Sequence, residues 1–172
     1  MQEKRSPSIA IIPGRFDPIT YGHLDLVERA SEQYDKVYLA VMINREKQYL
    51  LSIEQRKAIA EVAINQLNLS NVEVIASEGM LWKLAYDLGA CAIVKGYRNA
   101  TDLAYEEKMA EYNRQHNPNA ETVLLEARSD LLNVSSTLVR EKIAERESLS
   151  EWMPLEAEQM LYQFLSSETC SK

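Results

Sequence analysis

The sequence predicts a single α/β domain of Rossmann-like, doubly wound type, built on a five-stranded parallel sheet. Short β-branched or apolar runs alternate with longer segments of helical period, which is the pattern of parallel strands joined by crossover helices. The short runs are apolar without interruption, as expected of strands that helices cover on both faces. A length of 172 residues suits one such core, so residues 1–172 are expected to form one domain, with loose tails at 1–7 and 167–172.

The predicted strands and helices alternate along the chain up to two final helices. The strands are predicted at Ser8–Ile12, Lys36–Met42, Val72–Ala76, Cys91–Lys95 and Thr122–Glu126. The helices are predicted at Gly22–Tyr34, Ile53–Asn68, Leu81–Leu88, Asp102–His116, Ser136–Arg146 and about Pro154–Ser166. Ser52 and Gln55 predict a capping box at the start of the second helix, and Gly89 predicts the end of the third.

Composition narrows the class of protein. The chain is 46% apolar and 26% charged with a formal net charge of −7, and this acidity argues against non-specific binding to DNA or RNA. Cys91 and Cys170 lie far apart, so neither a disulfide framework nor a zinc site is expected. No apolar stretch approaches the roughly 18 to 20 residues of a spanning helix, and the first residues lack the apolar core of a signal peptide. We therefore expect a cytoplasmic protein with no membrane partner.

The segment GRFDPITYGH, from Gly14 to His23, directly follows the first predicted strand. Its glycines and prolines predict a sharp turn at the carboxyl edge of the sheet, where ligands bind in this class of fold. Backbone N–H groups of the turn and the positive end of the next helix form a cradle for phosphate, to which His23 can donate a hydrogen bond. The alternative is an ordinary connection with a surface histidine. The segment contains neither GxGxxG nor GxxxxGK[ST], so the Rossmann dinucleotide and Walker ATPase interpretations lose their main support.

The segment KGYRNATDLAYE, from Lys95 to Glu106, follows the fourth predicted strand. It places two cations, Lys95 and Arg98, on a loop at the same edge of the sheet, where both can face a phosphate. Glu106 can accept a hydrogen bond from a ribose or an adenine amino group. A solvated charged helix is the alternative interpretation, and we prefer it for Glu107, Lys108 and Glu111 rather than for the two cations.

A hydroxyl cluster, NVSSTLVRE, follows the fifth predicted strand. Ser135, Ser136 and Thr137 stand at a predicted helix start, with Arg140 one turn later. Three hydroxyls and the N–H groups of a helix N-terminus make a second cradle for phosphate. Simple N-capping by Ser135 is the alternative. The carboxyl edge of the sheet is therefore expected to collect three phosphate-binding segments.

These motifs together resemble the nucleotidyltransferases that carry an [HT]xGH turn, here Thr20 to His23, and in particular the bacterial phosphopantetheine adenylyltransferases. The stretch from Lys95 resembles the family's RGLRxxxDxxYE, and NVSSTLVRE resembles its ISSSxVRE. The resemblance runs from about Ile11 to Leu165. It implies transfer of the adenylyl group of ATP to 4′-phosphopantetheine, with Mg²⁺ accompanying ATP, a homohexamer, and coenzyme A as a feedback inhibitor.

The resemblance also implies roles for individual residues. The catalytic residues are His23, Lys47 and Arg98. The acceptor, phosphopantetheine, is expected to contact Arg15, Lys47, Leu81 and Lys95. The nucleotide is expected to contact Arg15, Phe16, His23, Gly96, Tyr97, Arg98, Glu106, Leu131, Ser135, Ser136 and Thr137. No residue is assigned as a ligand of a metal ion.

Three residues depart from the family's pattern. Arg15 stands where the family has Ser or Thr, so it acts either as a stronger phosphate clamp or as an obstruction. Leu131 replaces a common Trp, and Ile12 a common aromatic residue. Two alternatives remain at this point: a sister enzyme of the nicotinate-mononucleotide adenylyltransferase or cytidylyltransferase type, and a non-catalytic nucleotide-binding module. The stretch from Lys95 to Glu106 and the absence of an RTxGxSTT-like string argue against the sister enzymes, and the retained His23 argues against the module.

Overall fold

The computed structural model of the chain describes residues 6–169, with side chains described as far as residue 167. Its centre is one parallel sheet of five strands in the order β3-β2-β1-β4-β5. The strands are β1 (Ile9–Gly14), β2 (Lys36–Met42), β3 (Val72–Ser77), β4 (Ala92–Tyr97) and β5 (Glu121–Glu126). This arrangement confirms the predicted α/β fold with a doubly wound five-stranded sheet.

Six α-helices and one short 3-10 helix complete the described part of the chain. The α-helices are α1 (Tyr21–Gln33), α2 (Ile53–Asn65), α3 (Leu81–Asp87), α4 (Ala100–His116), α5 (Ser136–Ala144) and α6 (Leu155–Thr169). The 3-10 helix, Ser129–Leu131, has no counterpart in the prediction. The capping box of α2 is confirmed, because Ser52 Oγ accepts from the Gln55 N–H at 3.2 Å and Gln55 Oε1 accepts from the Ser52 N–H at 2.9 Å. Gly89, with a φ of 63°, ends α3 as predicted.

Several predicted boundaries were wrong by two or three residues. Strand β1 continues to Gly14 rather than stopping at Ile12, because Pro13 and Gly14 still pair with β2. Helix α2 stops before the predicted Asn68, whose φ of 52° is incompatible with a helix. Helix α6 continues to Thr169, so residues 167–169 of the expected C-terminal tail are helical. Residues 1–5 and 170–172, including Cys170, lie outside the described residues.

Helices cover both faces of the sheet, as the unbroken apolar strands predict. Successive residues of a strand point to opposite faces, so Ala10 and Ile12 enter one apolar cluster and Ile11 enters the other. Helices α1, α2, α5 and α6 contribute to the first cluster, and α3 packs against the second. Within residues 6–169, no helix has the length and apolar character that crossing a membrane requires.

Candidate active site

A cavity of about 560 Å³ opens at the carboxyl ends of β1 and β4. The chain runs outward from β1 to β2 and β3 on one side and returns to β4 and β5 on the other, so these two strands mark the point where the strand order reverses. Open α/β sheets bind ligands at this place because the loops after the two strands diverge and leave a crevice. The cavity wall combines the histidine turn (residues 14–23), the loop after β4 and the N-terminus of α5.

Arg56, which is only 1% exposed, holds the start of the histidine turn. Its Nη1 donates to the Arg15 carbonyl at 2.6 Å and to the Met42 carbonyl at the end of β2 at 3.0 Å. The guanidinium also lies over the ring of Tyr49, 4.1 Å from its centroid. Both hydrogen bonds come from Nη1, and the buried Nε has no partner among the described residues. Through Nη1, Arg56 joins the backbone of the turn to β2, and through Tyr49 it contacts the loop that follows β2.

Asp17 makes a second connection from the turn to the same loop. Its carboxylate is 3% exposed and accepts from the N–H groups of Leu50 at 2.8 Å and Leu51 at 3.1 Å. On the opposite side, Arg140 Nη1 donates to the Asp17 carbonyl at 2.7 Å, and Ser136 Oγ donates to the Pro18 carbonyl at 2.7 Å. The turn is therefore bound from β2 on one side and from α5 on the other.

His23 occupies the first turn of α1, where its ring contributes to the cavity wall. Its Nδ1 accepts from the Thr20 N–H at 3.0 Å, so the neutral ring carries its proton on Nε2. The Phe16 ring packs edge-on against the imidazole with centroids 4.9 Å apart. Burial, together with the positive charges of Lys95 and Arg98, lowers the pKa of His23 from 6.5 to about 4. At neutral pH the residue is an uncharged hydrogen-bond donor of fixed orientation.

The two predicted cations of the second motif, Lys95 and Arg98, also line the cavity, and each is paired with a carboxylate of α4. Lys95 Nζ lies 3.4 Å from Glu106 Oε1, and Arg98 Nε lies 3.2 Å from Asp102 Oδ2. The Asp102 carboxylate also accepts from the Arg98 backbone N–H at 3.2 Å. These pairs are partly exposed and therefore weak, so an incoming phosphate can compete for the cations.

The three hydroxyls at the start of α5 make hydrogen bonds within the protein. Ser135 caps the helix by accepting from the Leu138 N–H at 3.1 Å, as the simpler interpretation of the sequence expects. Thr137 Oγ1 accepts from Arg140 Nη2 at 3.1 Å, and the Ser136 hydroxyl is bound to the histidine turn. The positive end of α5 nevertheless faces the cavity, so its contribution to anion binding comes from the helix terminus more than from free hydroxyls.

Most of the site residues predicted from the sequence meet at this one cavity. They are Arg15, Phe16, His23, Lys95, Gly96, Tyr97, Arg98, Glu106, Leu131, Ser135, Ser136 and Thr137. Two are not among the residues that form its wall. Lys47 is exposed on the loop after β2, where its N–H donates to the Asn44 carbonyl at 3.0 Å, and Leu81 begins α3 and packs against the second apolar cluster. Their assignment to the acceptor therefore stays a prediction.

The sequence interpretation assigned no individual role to the residues that hold the site together, although it named Thr20 and Arg140 as members of their motifs. Asp17, Thr20, Asp25 and Arg140 all contribute to the cavity wall, and Arg56 lies behind it. Asp25 is buried on α1 and binds Arg128 of the loop after β5 at 3.1 Å. One signal was available, since Asp17 interrupts an apolar stretch inside the motif. A buried carboxylate needs donors, but the sequence does not say which segment supplies them.

The acidic residues of the cavity wall do not form a site for a resident metal ion. Within the described chain, no three His, Cys, Asp or Glu side chains are grouped so as to hold a metal. Each acidic side chain of the wall already binds a cation or a backbone N–H; these are Asp17, Asp25, Asp102 and Glu106. The residues present therefore do not fit a metal held by protein carboxylates.

Comparison with known proteins shows the family of the chain. The family model described as cytidylyltransferase-like matches residues 11–142. The chain is 38% identical over 162 residues to the phosphopantetheine adenylyltransferase of Lactobacillus acidophilus, covering 94% of this chain and 99% of that protein. It is 43% identical over 150 residues to the enzyme of the same name from Streptococcus suis, covering 87% and 91%.

Solved structures support the fold. A putative nicotinate-nucleotide adenylyltransferase from Vibrio parahaemolyticus superposes with a TM-score of 0.70 at 18% identity, covering 92% of this chain and 93% of that one. The nicotinic acid mononucleotide adenylyltransferase of Plasmodium falciparum, in complex with NaAD, superposes with a TM-score of 0.69 at 16% identity, covering 92% and 96%. At such low identity these structures bear on the fold alone. The family match and the curated relatives show that the chain belongs to the cytidylyltransferase-like family, among the phosphopantetheine adenylyltransferases.

Proposed function

We propose that this chain catalyses reversible transfer of the adenylyl group of ATP to 4′-phosphopantetheine, giving dephospho-coenzyme A and pyrophosphate. One observation carries the proposal: the histidine turn and the Lys95 to Glu106 segment both line one cavity. The sequence associates the first with nucleotidyl transfer and the second with this acceptor. The relatives with 38% and 43% identity are named for the same activity.

The cavity suits a triphosphate. The N-termini of α1 and α5 both contribute to its wall, and each presents the positive end of a helix dipole to an anion. Lys95 and Arg98 add full positive charges to the cavity wall. Glu106 stands beside Lys95, and in the proposed complex it exchanges this pairing for a hydrogen bond from the ribose or the adenine amino group of the nucleotide.

The reaction needs positioning and charge stabilisation more than acid–base chemistry. A phosphate oxygen of the acceptor, already anionic, attacks the α-phosphorus of ATP, and the bond from that phosphorus to the pyrophosphate oxygen breaks. No proton has to be removed from the nucleophile and no covalent enzyme intermediate forms. His23 donates from Nε2 to an α-phosphate oxygen, while Lys95 and Arg98 offset the negative charge of the reacting phosphates.

The neutral state of His23 fits this role. A donor whose orientation is fixed by the Thr20 N–H requires no reorganisation during the reaction. Because its pKa is lowered to about 4, the ring does not lose its donor geometry to a change of protonation near neutral pH. We propose that Mg²⁺ enters with ATP, held by phosphate oxygens, since the carboxylates of the cavity wall are already engaged. No step of the mechanism is assigned to it.

Several finer properties belong to the same proposal. Lys47 and Leu81 are proposed to reach the acceptor from the loop after β2 and from the start of α3, which lie at the same edge of the sheet as the cavity. A homohexameric assembly, inhibition by coenzyme A and a cytoplasmic location are proposed by analogy with the family that the sequence resembles.

Release of pyrophosphate distinguishes the candidate functions. Purified protein with ATP and Mg²⁺ is given phosphopantetheine or nicotinate mononucleotide in separate reactions, and CTP with glycerol 3-phosphate in a third. Of the three reactions, we expect pyrophosphate release only in the one that contains phosphopantetheine. Release with nicotinate mononucleotide or glycerol 3-phosphate instead identifies a sister enzyme, and ATP binding without release in any reaction identifies a non-catalytic module.

A further inference from the structure

The loop after β5, residues 127–134, lines the cavity but packs little against the rest of the protein. The residues that it contributes to the cavity wall are Ala127, Leu131 and Val134. Leu131, Leu132 and Val134 belong to neither of the two apolar clusters, and Leu132 is 39% exposed. The N–H groups of Leu131 and Val134 donate to carbonyls within the loop, at 2.9 and 3.0 Å. Neither core packing nor these local bonds fix the loop relative to the helices around it.

One ion pair connects this loop to α1. Arg128 Nη1 donates to Asp25 Oδ1 at 3.1 Å, and within the described chain this is the one hydrogen bond or ion pair from residues 128–134 to another helix or strand. The Asp25 side chain is only 5% exposed. Its other oxygen, Oδ2, accepts from Arg29 Nη1 at 3.2 Å, and the same nitrogen donates to the Glu126 carbonyl at 2.9 Å. Each oxygen of this buried carboxylate therefore has one arginine, as the burial of a charge requires.

The segments on either side of the loop are held by other contacts. Strand β5 pairs with β4 as far as Glu126. Helix α5 is bound to the histidine turn through Ser136 and Arg140, which donate to backbone carbonyls of that turn. His23 is oriented by the N–H of Thr20. Loss of the ion pair is therefore expected to loosen the loop without displacing His23 or the start of α5.

We propose that Asp25 and Arg128 are positioning residues, which hold the loop after β5 in the conformation that receives the nucleoside part of ATP. The inference rests on the proposed function and deepens it. Leu131 can contact a base or a ribose but offers no charge to a phosphate, whereas the helix termini, Lys95 and Arg98 suit the triphosphate. Arg128 does not line the cavity itself, so it acts through the loop. A loop that is ordered before the nucleotide arrives lowers the entropy cost of binding.

Calorimetric titration with ATP and with inorganic triphosphate, both with Mg²⁺, tests this role. The two ligands share the phosphate chain, so the ratio of their dissociation constants measures recognition of the nucleoside. We expect Arg128→Ala to weaken ATP binding by about 5- to 30-fold, because one or two side chains of the loop then become ordered only on binding. The affinity for inorganic triphosphate, and kcat at saturating ATP, should each change less than about threefold, as expected when only uniform binding is lost.

Three further variants accompany Arg128→Ala. Asp25→Asn removes the same ion pair from its other end, so the double variant should lose no more ATP affinity than the weaker-binding single variant. Arg128→Lys keeps a cation and should recover part of the lost affinity. The matched control is Arg114→Ala, which breaks the 2.8 Å ion pair with Glu111 on α4 outside the cavity wall. We expect this control to bind ATP as the wild type does.

Three results would overturn the inference. They are an unchanged ATP affinity in Arg128→Ala, an equal loss of affinity for ATP and for inorganic triphosphate, and additive losses in the double variant. Wild-type protein that binds ATP but forms no dephospho-coenzyme A instead fails the proposed function, and the titrations then still decide the role of the loop.

Discussion

Replacing His23 by alanine removes the donor that the mechanism assigns to the α-phosphate. The ring is neutral and oriented before the substrate arrives, so the variant loses transition-state stabilisation rather than a site of charge. Loss of one such donor costs about 2.7 to 4 kcal/mol, which corresponds to about a 100- to 1000-fold fall in kcat. The dissociation constant of ATP is expected to change less than about threefold, since other groups of the cavity hold the triphosphate.

The assay is steady-state pyrophosphate release combined with calorimetric titration of ATP, and His23→Gln is the matched control. Glutamine places an amide N–H near the position of Nε2 but lacks the acceptor for the Thr20 N–H, so we expect it to recover part of the lost rate. Comparable losses in kcat and in ATP affinity for His23→Ala would show that the ring binds substrate and transition state equally well, and would refute the assigned role.

Three further predictions concern pH and stability. His23 is protonated below about pH 6.5 in the unfolded chain but only below about pH 4 in the folded chain. The free energy of unfolding, measured by denaturant titration, should therefore rise by about 3 kcal/mol between pH 4 and pH 6.5. The same titrations of His23→Gln should lack this rise. Asp17→Asn turns an amide N–H towards one of the two backbone N–H groups that the carboxylate accepts from, and should lower the free energy of unfolding by about 1 to 3 kcal/mol in the same titration. Unchanged stability would contradict the buried contact. Gly14→Ala brings a Cβ to 2.8 Å from the Phe16 ring and should cost about 1 to 3 kcal/mol in thermal unfolding, whereas a wild-type melting temperature would show that the ring yields easily.

Local patterns in the sequence were sufficient for most of the fold. Strand β2 was predicted with its observed ends, because an unbroken apolar and aromatic run, Val37 to Met42, follows Lys36 between two predicted helices. The end of β1 was missed because Pro13 and Gly14 are turn residues by local preference, and only their pairing with β2 extends the strand. Tertiary contacts decided that boundary, and no window of sequence contains them.

In the candidate site, too, residues of local motifs were predicted and residues with distant partners were not. His23, Arg98 and the start of α5 were found because each belongs to a short motif in which a few neighbouring residues create a cradle. Asp17 and Arg56 were missed because their partners lie 33 and 41 residues away in the chain. These contacts place the histidine turn but leave no periodic or local mark in the sequence.

The reverse reaction tests the central claim most directly. Protein supplied with pyrophosphate, Mg²⁺ and dephospho-coenzyme A should form ATP, detected by a luciferase-coupled assay. It should form at least about 100-fold less ATP when nicotinate adenine dinucleotide replaces dephospho-coenzyme A. The reason is that two missing or misplaced charged contacts cost on the order of 3 kcal/mol. ATP formation from nicotinate adenine dinucleotide alone, or from neither compound, would contradict the account.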